Sequence, residues 1–100
     1  MTRAVVIGAG LGGLATAIHL RLAGCDVRVL EQRDEPGGKV RQLREGGFGF
    51  DLGPTILTMP FVFEELFRAA GRSFAESVAL EPLSPYYRAC LLYTSDAADE

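Results

Sequence analysis

The stretch Arg3-Ala4-Val5-Val6-Ile7-Gly8-Ala9-Gly10-Leu11-Gly12-Gly13-Leu14 decides the fold. Its first five residues are short, β-branched and apolar, the pattern of a parallel strand covered on both faces. The strand stops at Gly8. From Leu11, apolar residues recur at Leu11, Leu14, Ala15, Ile18 and Leu22, a stripe that lays one face of a helix on a sheet. Gly24 is a helix stop, and Val27, Val29 and Leu30 resume strand character until Glu31. Arg3 to Glu31 spans 29 residues, the size of one right-handed strand–helix–strand crossover.

Inside that crossover Gly8-Ala9-Gly10-Leu11-Gly12-Gly13 satisfies G-x-G-x-x-G at Gly8, Gly10 and Gly13. Gly8 suits a tight turn out of the strand, Gly10 a close approach of backbone to a pyrophosphate, and Gly13 a close helix–strand contact. The helix N-terminus then presents free N–H groups and its positive dipole end to the anion. Glu31, eighteen residues after Gly13, is placed to accept hydrogen bonds from a ribose hydroxyl, and its charge opposes a 2′-phosphate. Three glycines alone make only a tight turn. With strand, helix, second strand and terminal acid in register they predict dinucleotide binding.

Composition narrows the classes further. One hundred residues hold a single small domain or part of a larger one. Hydrophobic residues at 48% and charged residues at 23% fit a globular protein rather than a disordered chain or a polybasic nucleic-acid binder. The ten Lys and Arg lie in residues 1–89 beside ten of the thirteen acids, so the net charge of −3 comes wholly from Asp96, Asp99 and Glu100. Two cysteines, Cys25 and Cys90, make no disulfide scaffold, and the single histidine, His19, leaves no metal-ligand cluster. Cys25 reads as a strand-start residue and His19 as an exposed helix side chain. A signal peptide across Ala4–Ile18 would have to carry four glycines, so a cytoplasmic protein is expected.

Beyond Glu31 the chain reads Gln32-Arg33-Asp34-Glu35-Pro36-Gly37-Gly38-Lys39. Pro36-Gly37-Gly38 is either a surface turn or a place where backbone approaches a second stretch of ligand, with Lys39 adding a cation. A nicotinamide-type fold would run on into another crossover helix. Gly46-Gly47-Phe48-Gly49-Phe50 is instead hairpin-like. A helix is predicted from Met59, with Pro60 in its first turn, Gly71 as its stop and Phe63, Leu66, Phe67 and Ala70 as its apolar face. With Phe61 and Val62 the stripe is broad, so it serves either a core or a membrane contact.

These segments together resemble the amino terminus of the bacterial phytoene-desaturase family, flavin-dependent carotenoid desaturases within the amine-oxidase-like flavoproteins. The resemblance runs from Gly8–Glu31 through Gly37-Gly38-Lys39, Asp51-Leu52-Gly53-Pro54-Thr55 and Leu57-Thr58-Met59-Pro60, and on to Pro82, Pro85, Tyr86, Tyr87 and Arg88, covering residues 1–89. It implies an α/β fold, a Rossmann-like FAD/NAD(P)-binding unit forming the front part of a flavoprotein domain. It also implies FAD, with Gly8, Ala9, Gly10, Leu11, Gly12 and Gly13 at the pyrophosphate and Glu31 with Gln32 at the adenosine ribose. Gly37, Gly38 and Lys39 would follow the phosphate and ribityl region, and Gly53, Pro54 and Thr55 would return toward the flavin.

The implied reaction is desaturation of a phytoene-like carotenoid precursor to a conjugated polyene. Peripheral association with the inner face of the cell membrane is implied as well, with no nucleic acid and no metal. No catalytic acid or base can be named in residues 1–89. The alternatives are another flavin oxidase of the same group and an inert nucleotide-binding fragment. Residues 90–100 resemble the translation of a sequencing adapter read through in one frame, which makes them a non-native tail.

Overall fold

The computed structural model describes residues 1–91. Strand β1, Arg3–Ile7, leads into helix α1, Leu11–Leu22, which returns to strand β2, Asp26–Leu30. β1 and β2 pair in parallel, with Arg3 opposite Asp26 and Ile7 opposite Leu30. The chain is an α/β protein built on this crossover. Two backbone bonds close the ladder beyond its ends, Asp26 N–H to Thr2 O at 2.8 Å and Gly8 N–H to Leu30 O at 2.7 Å.

Helix α1 starts at the predicted residue because Gly10 is still extended, with φ −76° and ψ −177°, and Leu14 N–H makes the first helical bond to Gly10 O at 2.9 Å. It ends where Gly24 takes φ +90° and Cys25 N–H bonds Leu20 O at 3.0 Å. Leu14, Ala15 and Ile18 are half-buried on the sheet, while Leu11 and Leu22 at the helix ends are exposed. The expectation that β1 is covered on both faces is not met among the described residues. Burial alternates along it, Ala4 and Val6 half-buried beneath α1, Val5 and Ile7 exposed at 60% and 86%. A continuous apolar run marks a strand able to be covered twice; α1 covers one side.

The next element is the expected hairpin. β3, Gln42–Glu45, pairs antiparallel with β4, Phe48–Asp51, and Glu45 faces Phe48 across a two-residue turn. Gly46 and Gly47 both have positive φ, +59° and +83°, the conformation that matches the twist of a two-residue hairpin. On one face the Gln42 amide donates to Asp51 Oδ1 at 3.0 Å and Arg44 Nε donates to Gln42 Oε1 at 2.8 Å.

Helix α2, Pro60–Ala69, begins on its proline and stops before Gly71, as predicted. Phe63, Leu66 and Phe67 form its half-buried face; Ala70, Phe61 and Val62 are exposed. That face is covered by Phe74 of a short helix α3, Phe74–Ser77, whose ring stacks on Phe63 at 5.7 Å and meets Phe67 edge-on at 5.1 Å. Phe74 and Ala9 are the buried apolar residues among those described. His19 is exposed and Cys25 half-buried just before β2, in keeping with the roles read for them. Of the tail at 90–100, residues 92–100 lie outside the described residues.

Gly13 packs so tightly beneath the turn that a Cβ there would overlap the Gly8 carbonyl, whereas a Cβ on neighbouring Gly12 meets nothing within 4 Å. Gly13→Ala is therefore expected to cost about 1–3 kcal/mol, the usual penalty of overpacking. Gly12→Ala should stay within about 1 kcal/mol of wild type. Urea denaturation of the two variants would separate them; equal midpoints would contradict the packing.

Candidate dinucleotide-binding site

The carboxyl ends of β1 and β2 meet at a turn whose backbone bonds determine what remains for a ligand. Gly8 N–H is taken by Leu30 O. Ala9 N–H donates to Glu31 Oε2 at 2.7 Å, and Ala9 O accepts from Gly37 N–H at 2.8 Å. Ala9 is therefore held on both sides and is 4% exposed. The helical ladder starts only at Leu14 N–H, so the N–H groups of Leu11, Gly12 and Gly13 open at the mouth of α1. Gly10 leaves that mouth uncrowded, since a Cβ there would find Gly38 Cα at 3.9 Å and nothing nearer. α1 has no acid in its first turn to satisfy its positive end.

Glu31 is half-buried just past β2. Besides Ala9 it accepts from Arg33 N–H on Oε1 at 3.1 Å. The Ala9 N–H chiefly, then that of Arg33, hold its carboxyl below the usual carboxylate range, with the Arg33 charge assisting and burial opposing. Each oxygen retains a lone pair able to accept a hydroxyl. The turn thus sets unbonded N–H donors at the mouth of α1 near a carboxylate fixed by two backbone bonds.

Of the remaining predicted residues, backbone contacts tie Gly37, Gly38 and Gly53 to the turn or to the chain just beyond it. Gly37 and Gly38 lie on the glycine turn, and Arg33 Nη1 donates to Gly38 O at 3.2 Å. A cavity of about 420 Å³ opens from the residue after Glu31, lined by residues 32–36 with Gly38 and Arg41, so that two cations, Arg33 and Arg41, face two acids, Asp34 and Glu35. Lys39 has an exposed side chain, but its carbonyl lies so close to Gly53 that a Cβ at 53 would overlap it. That contact and the bond from Leu52 N–H to Arg41 O at 2.9 Å seat the segment after β4 on residues 39–41. Pro54 and Thr55 come directly after it and are exposed.

Arg33 and Arg41 escape a reading of the sequence alone. Arg33 carries a signal, a cation two residues beyond the terminal acid. Arg41 carries none, because only the folding back of the chain brings it to Gln32.

A family model described as NAD(P)-binding Rossmann-like domain matches residues 6–73, which include every site residue named above. The chain belongs to that family. Among curated relatives, this Rossmann-like domain is 52% identical over 90 residues to a lycopene-forming phytoene desaturase of Pantoea ananas, covering 90% of the chain and 18% of the relative. It is 50% identical over 86 residues to a 4,4'-diapolycopene oxygenase of Methylomonas, covering 86% and 17%. It is 52% identical over 85 residues to a phytoene dehydrogenase of Streptomyces griseus, covering 85% and 17%. The chain spans about a fifth of the length of the curated relatives it matches.

Because the native carboxyl is easier to ionise than the unfolded one, the stability it lends is present above the unfolded pKa and disappears as pH falls through the folded pKa. Glu31→Gln should therefore lower the denaturation midpoint at neutral pH, with the gap closing as the solution is acidified below the ordinary glutamate range. A gap independent of pH would show that the Glu31 charge does not hold the turn.

Proposed function

We propose that this chain is the cofactor-binding portion of an FAD-dependent oxidoreductase that desaturates a phytoene-like carotenoid precursor at its CH–CH bonds. The observation that carries the proposal is the match, at about half identity over most of the chain, to relatives named as phytoene desaturases.

FAD rather than a nicotinamide is supported by the chain beyond β2, a strap at Gly37–Gly38 and a hairpin, where a nicotinamide domain would continue with a crossover helix. In this reading the N–H groups of Leu11, Gly12 and Gly13 hold the diphosphate, with Gly8, Ala9 and Gly10 shaping the turn that presents them. Glu31 takes the ribose, and the cavity beginning at Gln32 takes the adenosine side. Gly37, Gly38 and Lys39 border the middle of the cofactor, and Gly53, Pro54 and Thr55 border its flavin end.

Bound FAD supplies the hydride acceptor, and an external oxidant completes the turnover. The chain's own residues bind, orient and exclude water; none is assigned acid or base chemistry. Peripheral membrane association belongs to the same proposal. It is supported by the apolar nature of such a substrate and by the exposed Met59, Phe61 and Val62 at the start of α2. No helix among the described residues is long and apolar enough to cross a membrane, and none of their His, Cys, Asp and Glu side chains form a group suited to a metal. The relative named as an oxygenase supports a second reading, oxygen insertion into a carotenoid on the same cofactor scaffold.

The uninterrupted polypeptide containing residues 1–89 should purify with FAD and, supplied with phytoene, form a longer conjugated chain without gaining oxygen, as read by absorbance and mass. Glu31→Ala should weaken FAD binding roughly 10- to 100-fold, the effect of losing a charge-assisted hydrogen bond. A colourless protein that takes up no FAD would overturn the proposal, and an oxygenated product would favour the second reading.

A further inference from the structure

The Gly37–Gly38 pair makes its contacts with protein. Gly37 N–H donates to Ala9 O, Gly37 O accepts from Val40 N–H at 3.1 Å, and Gly38 O accepts from Arg33. Gly38, at φ +63°, lies face to face with the second glycine of the turn. A Cβ on Gly38 would stand 3.0 Å from Gly10 Cα, which is backbone and has no side chain to swing aside. The contact is one-sided, since a Cβ on Gly10 finds ordinary room at 3.9 Å. Closeness at this point is thus demanded of residue 38, and what it approaches is the turn itself.

We infer that Gly38 is a positioning residue: it lets the 37–40 strap lie on the Gly8–Gly10 turn, and through Gly10 it sets the turn that aims the α1 amides. Ala9 is then clamped from two directions, by Glu31 on its N–H and by the strap on its carbonyl, and the turn is shaped before any ligand arrives. The inference rests on the dinucleotide reading of the site, but it assigns Gly38 a different task from direct contact with the phosphate and ribityl region of the cofactor.

The two tasks separate on a short ligand. ADP reaches the turn and lacks the ribityl and flavin groups. In the uninterrupted polypeptide, stripped of cofactor and titrated calorimetrically, Gly38→Ala should weaken ADP and FAD by the same factor, roughly tenfold. FAD weakened with ADP unchanged would mean that Gly38 touches the ribityl half, both weakened with the Ala9 amide exchanging as slowly as in the wild type would mean that it touches the diphosphate directly, and both unchanged would mean that the contact has no effect; each overturns the inference.

Should Gly38→Ala not fold, amide hydrogen exchange on the cofactor-free wild type decides the matter. The Ala9 and Gly37 amides should exchange slowly and those of Leu11 and Gly12 quickly, and four equally fast amides would overturn the inference. A wild type that binds neither nucleotide would instead sink the underlying reading, and this inference with it.

Discussion

The peptide groups on either side of Ala9 are the joint on which this molecule turns. The N–H of Ala9 goes to a carboxylate twenty-two residues away and its carbonyl to an amide twenty-eight residues away. These two bonds tie the end of β1 to the end of β2 and to the strap beyond it. Buried backbone groups must find partners, so a turn wedged between strand, helix and strap is stable only when both are met. Glu31 meets one of them without being consumed, because a carboxylate has lone pairs to spare. The same side chain can therefore hold the turn and still receive a ligand.

From that joint the other segments are stacked by backbone contact more than by side-chain burial. Gly13 sits under Gly8, Gly38 against Gly10, and Gly53 against Lys39. The last two contacts tie later parts of the chain toward the turn, the strap directly through Gly38 and the segment after β4 through Lys39. The side-chain packing is concentrated elsewhere, in the small cluster of Phe63, Phe67 and Phe74. Site and apolar cluster are thus held by different physics, close backbone approach in one and ring contacts in the other.

What is legible in the sequence is local. The apolar run at 3–7, the stripe from Leu11 to Leu22, the Gly46-Gly47 turn and the proline-to-glycine span of α2 each carry their own signal, and each element appears within a residue or two of its expected place. The long-range contacts carry no periodicity. Nothing in the spacing of Glu31 or Gly38 says that one reaches back to Ala9 and the other presses on Gly10. α3 goes unpredicted although Ser73 and Glu76 have the spacing of a helix start, because a four-residue helix is overshadowed by its neighbour. How many layers cover β1 is not legible, because a run of apolar residues looks the same under one cover or two.

That uncovered side has a consequence of its own. Val5 and Ile7 on β1 stand beside Arg28 and Leu30 on β2, a narrow ribbon with a greasy, wetted surface opposite α1. Water solvates such a surface poorly, and the ribbon's rims still carry backbone groups able to pair. That side of the crossover is an open layer, and any element laid on it would bury Val5, Ile7 and Leu30 together.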